Sequence, residues 1–259
     1  MKRLFTFGCS FTGFHWPTWA DILGKEFDYY ENWGTLGAGN QYIFNSLVEC
    51  KTRHQFTSND TIIIMWTNVA REDRYIDRHW VTPGNILTQN FYNKDYVEKI
   101  FCERGFLIRD LATIAAAIDL LKSWNVKFEF LSMVPISNID QYHNNNSNNT
   151  EDILSLYKDI FQFIKPSVYE TVFKFDWWSR SSKFFSLSAI ESKNKTTEFY
   201  SWLNSNKHNF RPDPHPTPEE HLEYLNKVLP NYTISDSTNT WIKGYQLGDE
   251  FDKHFPDRL

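Results

Sequence analysis

The sequence predicts an α/β fold: an open parallel sheet covered by helices on both faces. Two observations lead there. Short apolar strands alternate with segments of helical spacing as far as Met133. The run Thr61-Ile62-Ile63-Ile64-Met65-Trp66 is apolar without alternation, as a strand buried on both faces must be. Composition agrees, since 41% hydrophobic and 23% charged residues in a chain of 259 suit one folded domain.

Residues 3–7 make the first strand, which Gly8 ends. Thr18-Trp19-Ala20-Asp21 has capping-box spacing and opens a helix through Leu23. Residues 27–30 are expected to form a second strand, followed by the glycine-rich turn Gly34-Thr35-Leu36-Gly37-Ala38-Gly39. From Asn40, the positions Ile43, Phe44, Leu47 and Val48 have helical spacing. Asn59-Asp60 then turns the chain into the apolar strand. A helix over 107–124 leads into a strand over 126–133, ended by Pro135. Residues 136–210 break the rhythm with an Asn-rich loop and aromatic pairs, and are expected to be an insertion or lid within a single domain spanning 1–259. Thr217-Pro218-Glu219-Glu220 carries an N-cap, a first-turn proline and a capping-box glutamate, so it opens the last strong helix, to about Leu229. Residues 230–259 form a C-terminal extension.

The bulk numbers exclude several classes. A net charge of −5 argues against nucleic acid as partner. Cys9, Cys50 and Cys102 show no CxxC spacing, which argues against a disulfide framework or a zinc ribbon. No apolar run approaches the roughly 18 residues of a membrane span, and the stretch after Lys2-Arg3 is too short for a signal peptide. A cytoplasmic protein with no membrane partner is expected. Oligomeric state is left open.

Four short blocks stand where an α/β enzyme places its site, at or beyond the carboxyl ends of strands. Gly8-Cys9-Ser10-Phe11-Thr12 follows strand one, and a serine in a tight turn there holds its hydroxyl exposed. Asn32-Trp33-Gly34-Thr35-Leu36-Gly37 lets backbone N–H groups approach a ligand. Trp66-Thr67-Asn68 closes the buried strand with a carboxamide that can meet a developing negative oxygen. Asp213-Pro214-His215-Pro216 fixes an imidazole between prolines just before the capped helix. Alone, each has an ordinary explanation as a turn or a surface loop. Their ordered combination is what points to nucleophilic catalysis.

Together the blocks resemble those of the SGNH hydrolases, or GDSL lipase/esterase family, over roughly residues 3–229. The resemblance implies a flavodoxin-like three-layer sandwich around a five-stranded parallel sheet, with the aromatic-rich insertion before the final helix. It implies Ser10 as nucleophile, His215 as general base and Asp213 as the acid. Its oxyanion hole would be the N–H groups of Ser10 and Gly37 and the side chain of Asn68. Neither cofactor nor metal is implied. The expected activity is an esterase on a small acyl ester or an acylated glycan, with carbohydrate O-acetyl groups as the leading substrate class. O-acyl transfer at the same site is one alternative, and a catalytically inactive glycan- or protein-binding module is another.

This chain departs from the pattern in three places. Cys9 replaces the aspartate before the nucleophile, and Trp66 replaces a glycine, which should narrow the pocket. Asp213 lies two residues before His215 instead of three, so a Ser–His dyad is the alternative to a triad. Cys9 itself reads as a buried thiol. His208, His215 and His221 match no metal-ligand spacing, and Asp252-Lys253-His254 reads as a surface tail. Trp66, Arg71, Trp177 and Trp178 are candidate substrate contacts. For Trp177 and Trp178 the competing reading is the core of the insertion, and for Arg71 and Arg74 it is solvated surface charge.

Overall fold

The computed structural model describes residues 1–88, 91–136, 150–174 and 215–258. The chain starts with β1 (Arg3–Phe7), α1 (Trp19–Gly24), β2 (Tyr29–Asn32), α2 (Asn40–His54) and β3 (Asp60–Trp66). A small antiparallel hairpin follows, β4 (Arg74–Ile76) and β5 (His79–Val81), then α3 (Lys94–Ile100) and α4 (Glu103–Ser123). β6 (Lys127–Ser132) completes the main sheet, whose order is β2-β1-β3-β6 with every pairing parallel. The later helices are α5 (Glu151–Leu156), α6 (Val168–Thr171), α7 (Pro218–Val228) and α8 (Asp236–Gly244).

Burial explains the sheet. All positions of β3 are buried, so its unbroken apolar run is satisfied on both faces. The chain leaves β1 toward β2 and returns past it to β3. Right-handed crossovers therefore place α1 on one face and α2 and α4 on the other. α1 packs against α7, and α7 in turn against α6 and α8, while α2 packs against α4. The result is helix, sheet, helix in three layers.

Among the described residues four strands stand where five were expected. Beside β6 the described residues offer a single parallel bridge, Phe130 with Ile164, backed by the Lys165 N–H donating to Phe130 O at 2.8 Å. Pro166 follows at once and has no N–H to continue a ladder, so the fifth strand stops at its first bond.

The segment expected to be an insertion is divided. In residues 150–174, Ile153, Ile160, Val168, Tyr169 and Phe173 are buried in the main core, so this stretch belongs to the domain itself. Residues 137–149 and 175–214 lie outside the described residues. Among the described residues no helix is long and apolar enough to cross a membrane.

Candidate active site

Because the sheet is parallel, the carboxyl ends of β1, β2 and β3 lie along one edge. Phe7 pairs with Ile64, which brings the loop after β1 beside the loop after β3. The chain reverses its direction of travel between these two strands, and a crevice opens in such a sheet at that point. Ser10 and Asn68 flank it from β1 and β3, and Gly37 arrives from β2.

The nucleophile turn is tight. Cys9 O accepts from both the Thr12 N–H (2.9 Å) and the Gly13 N–H (3.0 Å). Gly8 is packed so closely that a Cβ there would lie 2.0 Å from Thr12 Oγ1. Cys9 is fully buried, its Sγ 3.6 Å from Met133 Sδ, so its side chain is an anchor for the turn. Ser10 itself is only 6% exposed.

His215 reaches this turn from the far end of the chain. Its Nε2 lies 2.8 Å from Ser10 Oγ, a hydrogen bond in which Nε2 accepts from the hydroxyl in the tautomer that carries the proton on Nδ1. Three contacts aim the ring. Phe14 stacks on it at 4.1 Å between centroids and 24° between planes, and Phe11 meets it edge-on at 5.2 Å. The Trp16 indole N–H donates to Pro216 O at 2.8 Å, in buried surroundings. Just beyond, Thr217 caps α7 with Glu220 returning to the Thr217 N–H, and Pro218 sits in the first turn. The helix start is thus rigid, and the His215 loop is clamped to residues four and six beyond Ser10 in sequence.

The three donors assigned to an oxyanion hole are unspent. Neither the Ser10 N–H nor the Gly37 N–H has a hydrogen-bond partner among the described residues. Asn68 Oδ1 accepts from the Ala70 N–H at 2.7 Å, which orients the carboxamide and leaves Nδ2 without a partner among the described residues. Gly37 has φ +72, and a Cβ there would fall 2.1 Å from Thr82 O, so only glycine fits.

Polar ties lock these loops together. The Thr35 N–H donates to Gly8 O at 3.1 Å, and Asn32 Nδ2 donates to Thr12 O at 2.7 Å. Asn40 exchanges two bonds with Thr67, accepting its N–H at 2.9 Å and donating to its carbonyl at 3.2 Å. Gly39, at the N-cap of α2, has no side chain to cap with. Asp73 caps the helix instead, accepting from the Gly39 N–H (2.8 Å) and the Tyr42 N–H (2.9 Å). Beneath Asn40 lies Asp110, whose carboxyl burial pushes up to about 6 against the opposing pull of Arg109.

Other expected contacts fare differently. Trp66 is fully buried, its ring edge-on to Phe130 at 5.4 Å. It is the last residue of β3 and its side chain lies in the core, so it does not meet substrate. Arg71 is half-buried and donates to Ala38 O at 2.8 Å, bracing the glycine loop. Arg74 is exposed and paired with Glu72. His221 is buried in α7. Asp213, Trp177, Trp178 and His208 lie outside the described residues. Phe14 and Trp16 escaped the sequence reading, although an aromatic pair so soon after a nucleophile turn was a usable signal.

One group of ligand-type side chains exists among the described residues. Glu31, Cys50 and His54 bring their ligand atoms within 4.8 Å of one another. The carboxylate is already engaged by His54 Nε2 (2.9 Å), the Trp33 indole N–H (3.0 Å) and the Tyr29 hydroxyl. Burial pushes the Cys50 thiol far up, away from the thiolate a metal requires. The trio reads as a hydrogen-bonded network along β2 and α2.

No protein-family model matches the chain, and no curated relative matches it. Similar solved structures include two lipolytic ones. One is a member of the lipolytic protein G-D-S-L family from Veillonella parvula DSM 2008, at 15% identity over 68% of this chain and 82% of that chain, with a TM-score of 0.39. The other is a GDSL-like lipase from Bacteroides thetaiotaomicron VPI-5482, at 16% identity over 66% and 70%, with a TM-score of 0.35. Both are of the type that the four sequence blocks resemble. Likeness this slight says nothing about activity.

Proposed function

We propose that the chain is a serine hydrolase of the SGNH type that cleaves an ester-linked acyl group. The observation that carries this is the 2.8 Å bond between His215 Nε2 and Ser10 Oγ, made between loops 205 residues apart in sequence. Ser10 Oγ attacks the acyl carbonyl while His215 takes its proton. The carbonyl oxygen becomes an oxyanion, met by the Ser10 N–H, the Gly37 N–H and Asn68 Nδ2. Collapse expels the alcohol, which takes the proton back from His215, and leaves an acyl-Ser10. Water, deprotonated by the same imidazole, then releases the acid and restores Ser10. Asp213 is the proposed acid of a triad, with a Ser–His dyad as its alternative. Small acyl esters and O-acetylated glycans are the proposed substrates.

The test is turnover of p-nitrophenyl acetate. Ser10→Ala and His215→Ala should each lower kcat/KM by at least about 10³-fold. A fluorophosphonate probe should label wild type and spare Ser10→Ala. Equal rates in all three proteins with no labelling would leave the binding-module reading standing. Product analysis with an added alcohol separates hydrolysis from acyl transfer, which needs the same residues.

A further inference from the structure

Next to the Ser10–His215 pair lies a pocket of about 300 Å³, built where the C-terminal tail folds back over the nucleophile turn and the glycine loop. Phe14, the ring that stacks on His215, forms one wall, with Thr35, Leu36 and Phe255 beside it. The tail is firmly docked. His254 O accepts from the Asn32 N–H at 2.7 Å, and a Cβ on Gly13 would lie 3.1 Å from the Phe255 ring.

The pocket's charge is one-sided. Arg258 and Lys253 line it, and among the described residues no carboxylate does; Asp252 and Asp257, their neighbours in sequence, are outside the lining. Arg258 is half-buried, yet its guanidinium meets only neutral oxygens: Asn32 O (3.1 Å), Gly34 O (3.0 Å), Thr35 Oγ1 and the Tyr42 hydroxyl. Among the described residues neither Arg258 nor Lys253 has an acidic partner. Of the other half-buried arginines, Arg3 pairs with Asp60 and Arg109 with Glu72 and Asp110, whereas Arg71, like Arg258, meets a backbone carbonyl. These two cations, Lys253 exposed and Arg258 half-buried, face a cleft walled by Phe14 and Phe255.

We infer that this pocket holds an anionic group of the ester substrate, a carboxylate or a phosphate, with Lys253 and Arg258 setting that specificity. The inference rests on the hydrolase reading for its location beside Ser10. An exposed charge pair of this kind contributes a preference of up to about fivefold, and salt erodes it.

The experiment compares acetate esters of three phenols: 4-acetoxybenzoate, 4-acetoxyphenyl phosphate and the neutral methyl 4-acetoxybenzoate. The quantity read is kcat/KM for each anionic ester divided by that for the neutral one, so that comparing proteins cancels leaving-group reactivity. Lys253→Gln should lower the ratio about fivefold and Lys253→Glu further, and added salt should lower it in wild type. Lys243→Gln, a control on exposed α8, should leave the ratio alone. Whichever anionic ester loses more identifies carboxylate or phosphate as the group held. Ratios that stay constant across all variants while Ser10-dependent turnover persists would overturn the inference and spare the hydrolase. If no ester is turned over, calorimetry of 4-acetamidobenzoate and its methyl ester on wild type and Lys253→Glu decides separately. Equal binding of both compounds to both proteins would overturn it there.

Discussion

Ser10, Gly37 and Asn68 leave the ends of three paired strands, whereas His215 stands just ahead of α7, far along the chain. In the first region the spacing of loops follows from ladder register, Phe7 opposite Ile64 and Thr6 opposite Asn32. Backbone bonds and buried side-chain bonds such as Asn40 with Thr67 then fix each loop locally. In the second region a few side-chain contacts, Phe14 and Trp16 above all, hold an imidazole against a hydroxyl across the chain. The difference teaches where the site is robust. Sheet register is shared by many bonds, while among the described residues the His215 loop is tied to the nucleophile loop mainly through Phe14 and Trp16.

The largest effect outside the Ser10–His215 pair should come from the strand side. Asn68→Ala removes one oxyanion donor and should lower kcat by about 10²–10³ with little change in KM. Steady-state kinetics on p-nitrophenyl acetate reads this directly. An unchanged kcat would mean that Asn68 Nδ2 faces no charge in the reaction.

Next comes a test of the clamp on His215. Trp16→Phe keeps the ring but strands Pro216 O without its donor, which costs about 1–3 kcal/mol where the group stays buried. Because that bond joins the His215 loop to the nucleophile loop, kcat should fall about tenfold and fluorophosphonate labelling should slow with it. A protein that loses thermal stability but reacts normally when folded would break the contrast between the two regions.

The last effect is a pH dependence on the strand side. Burial raises Asp110 to about 6 from its ordinary 3.8, so the native state holds this proton more tightly than the unfolded chain. Between those values the native protein binds more protons than the unfolded one, and this group's contribution to stability falls as pH rises through that window. Over the whole window the change should be about 3 kcal/mol. Urea unfolding at several pH values should show a flatter profile for Asp110→Asn. Identical slopes in the two proteins would remove Asp110 as the source.

Much of the scaffold was legible because local signals agreed with global ones. β1 and the Thr18 and Thr217 capping boxes lie where the sequence placed them, since a cap is read from a few adjacent residues. β2 lies at Tyr29–Asn32, two residues beyond the start expected, because its limits are set by pairing with β1 and not by its own pattern. α4 starts earlier than expected, at Glu103. The β4–β5 hairpin and α3 were not read, being short and largely exposed, with little apolar periodicity to mark them.

By itself the sequence determined the parallel αβ rhythm, the serine turn after β1, the glycine at position 37 and a histidine ahead of a capped helix. These are properties of neighbouring residues: an apolar run, a conformational need, a cap. The tertiary structure alone decided that Trp66 faces the core, that Asp73 caps a helix through Tyr42, 31 residues upstream of it, and that Arg258 returns to Gly34. Each depends on which distant backbone lies opposite, and that is set by close packing of the whole chain, not by any one segment.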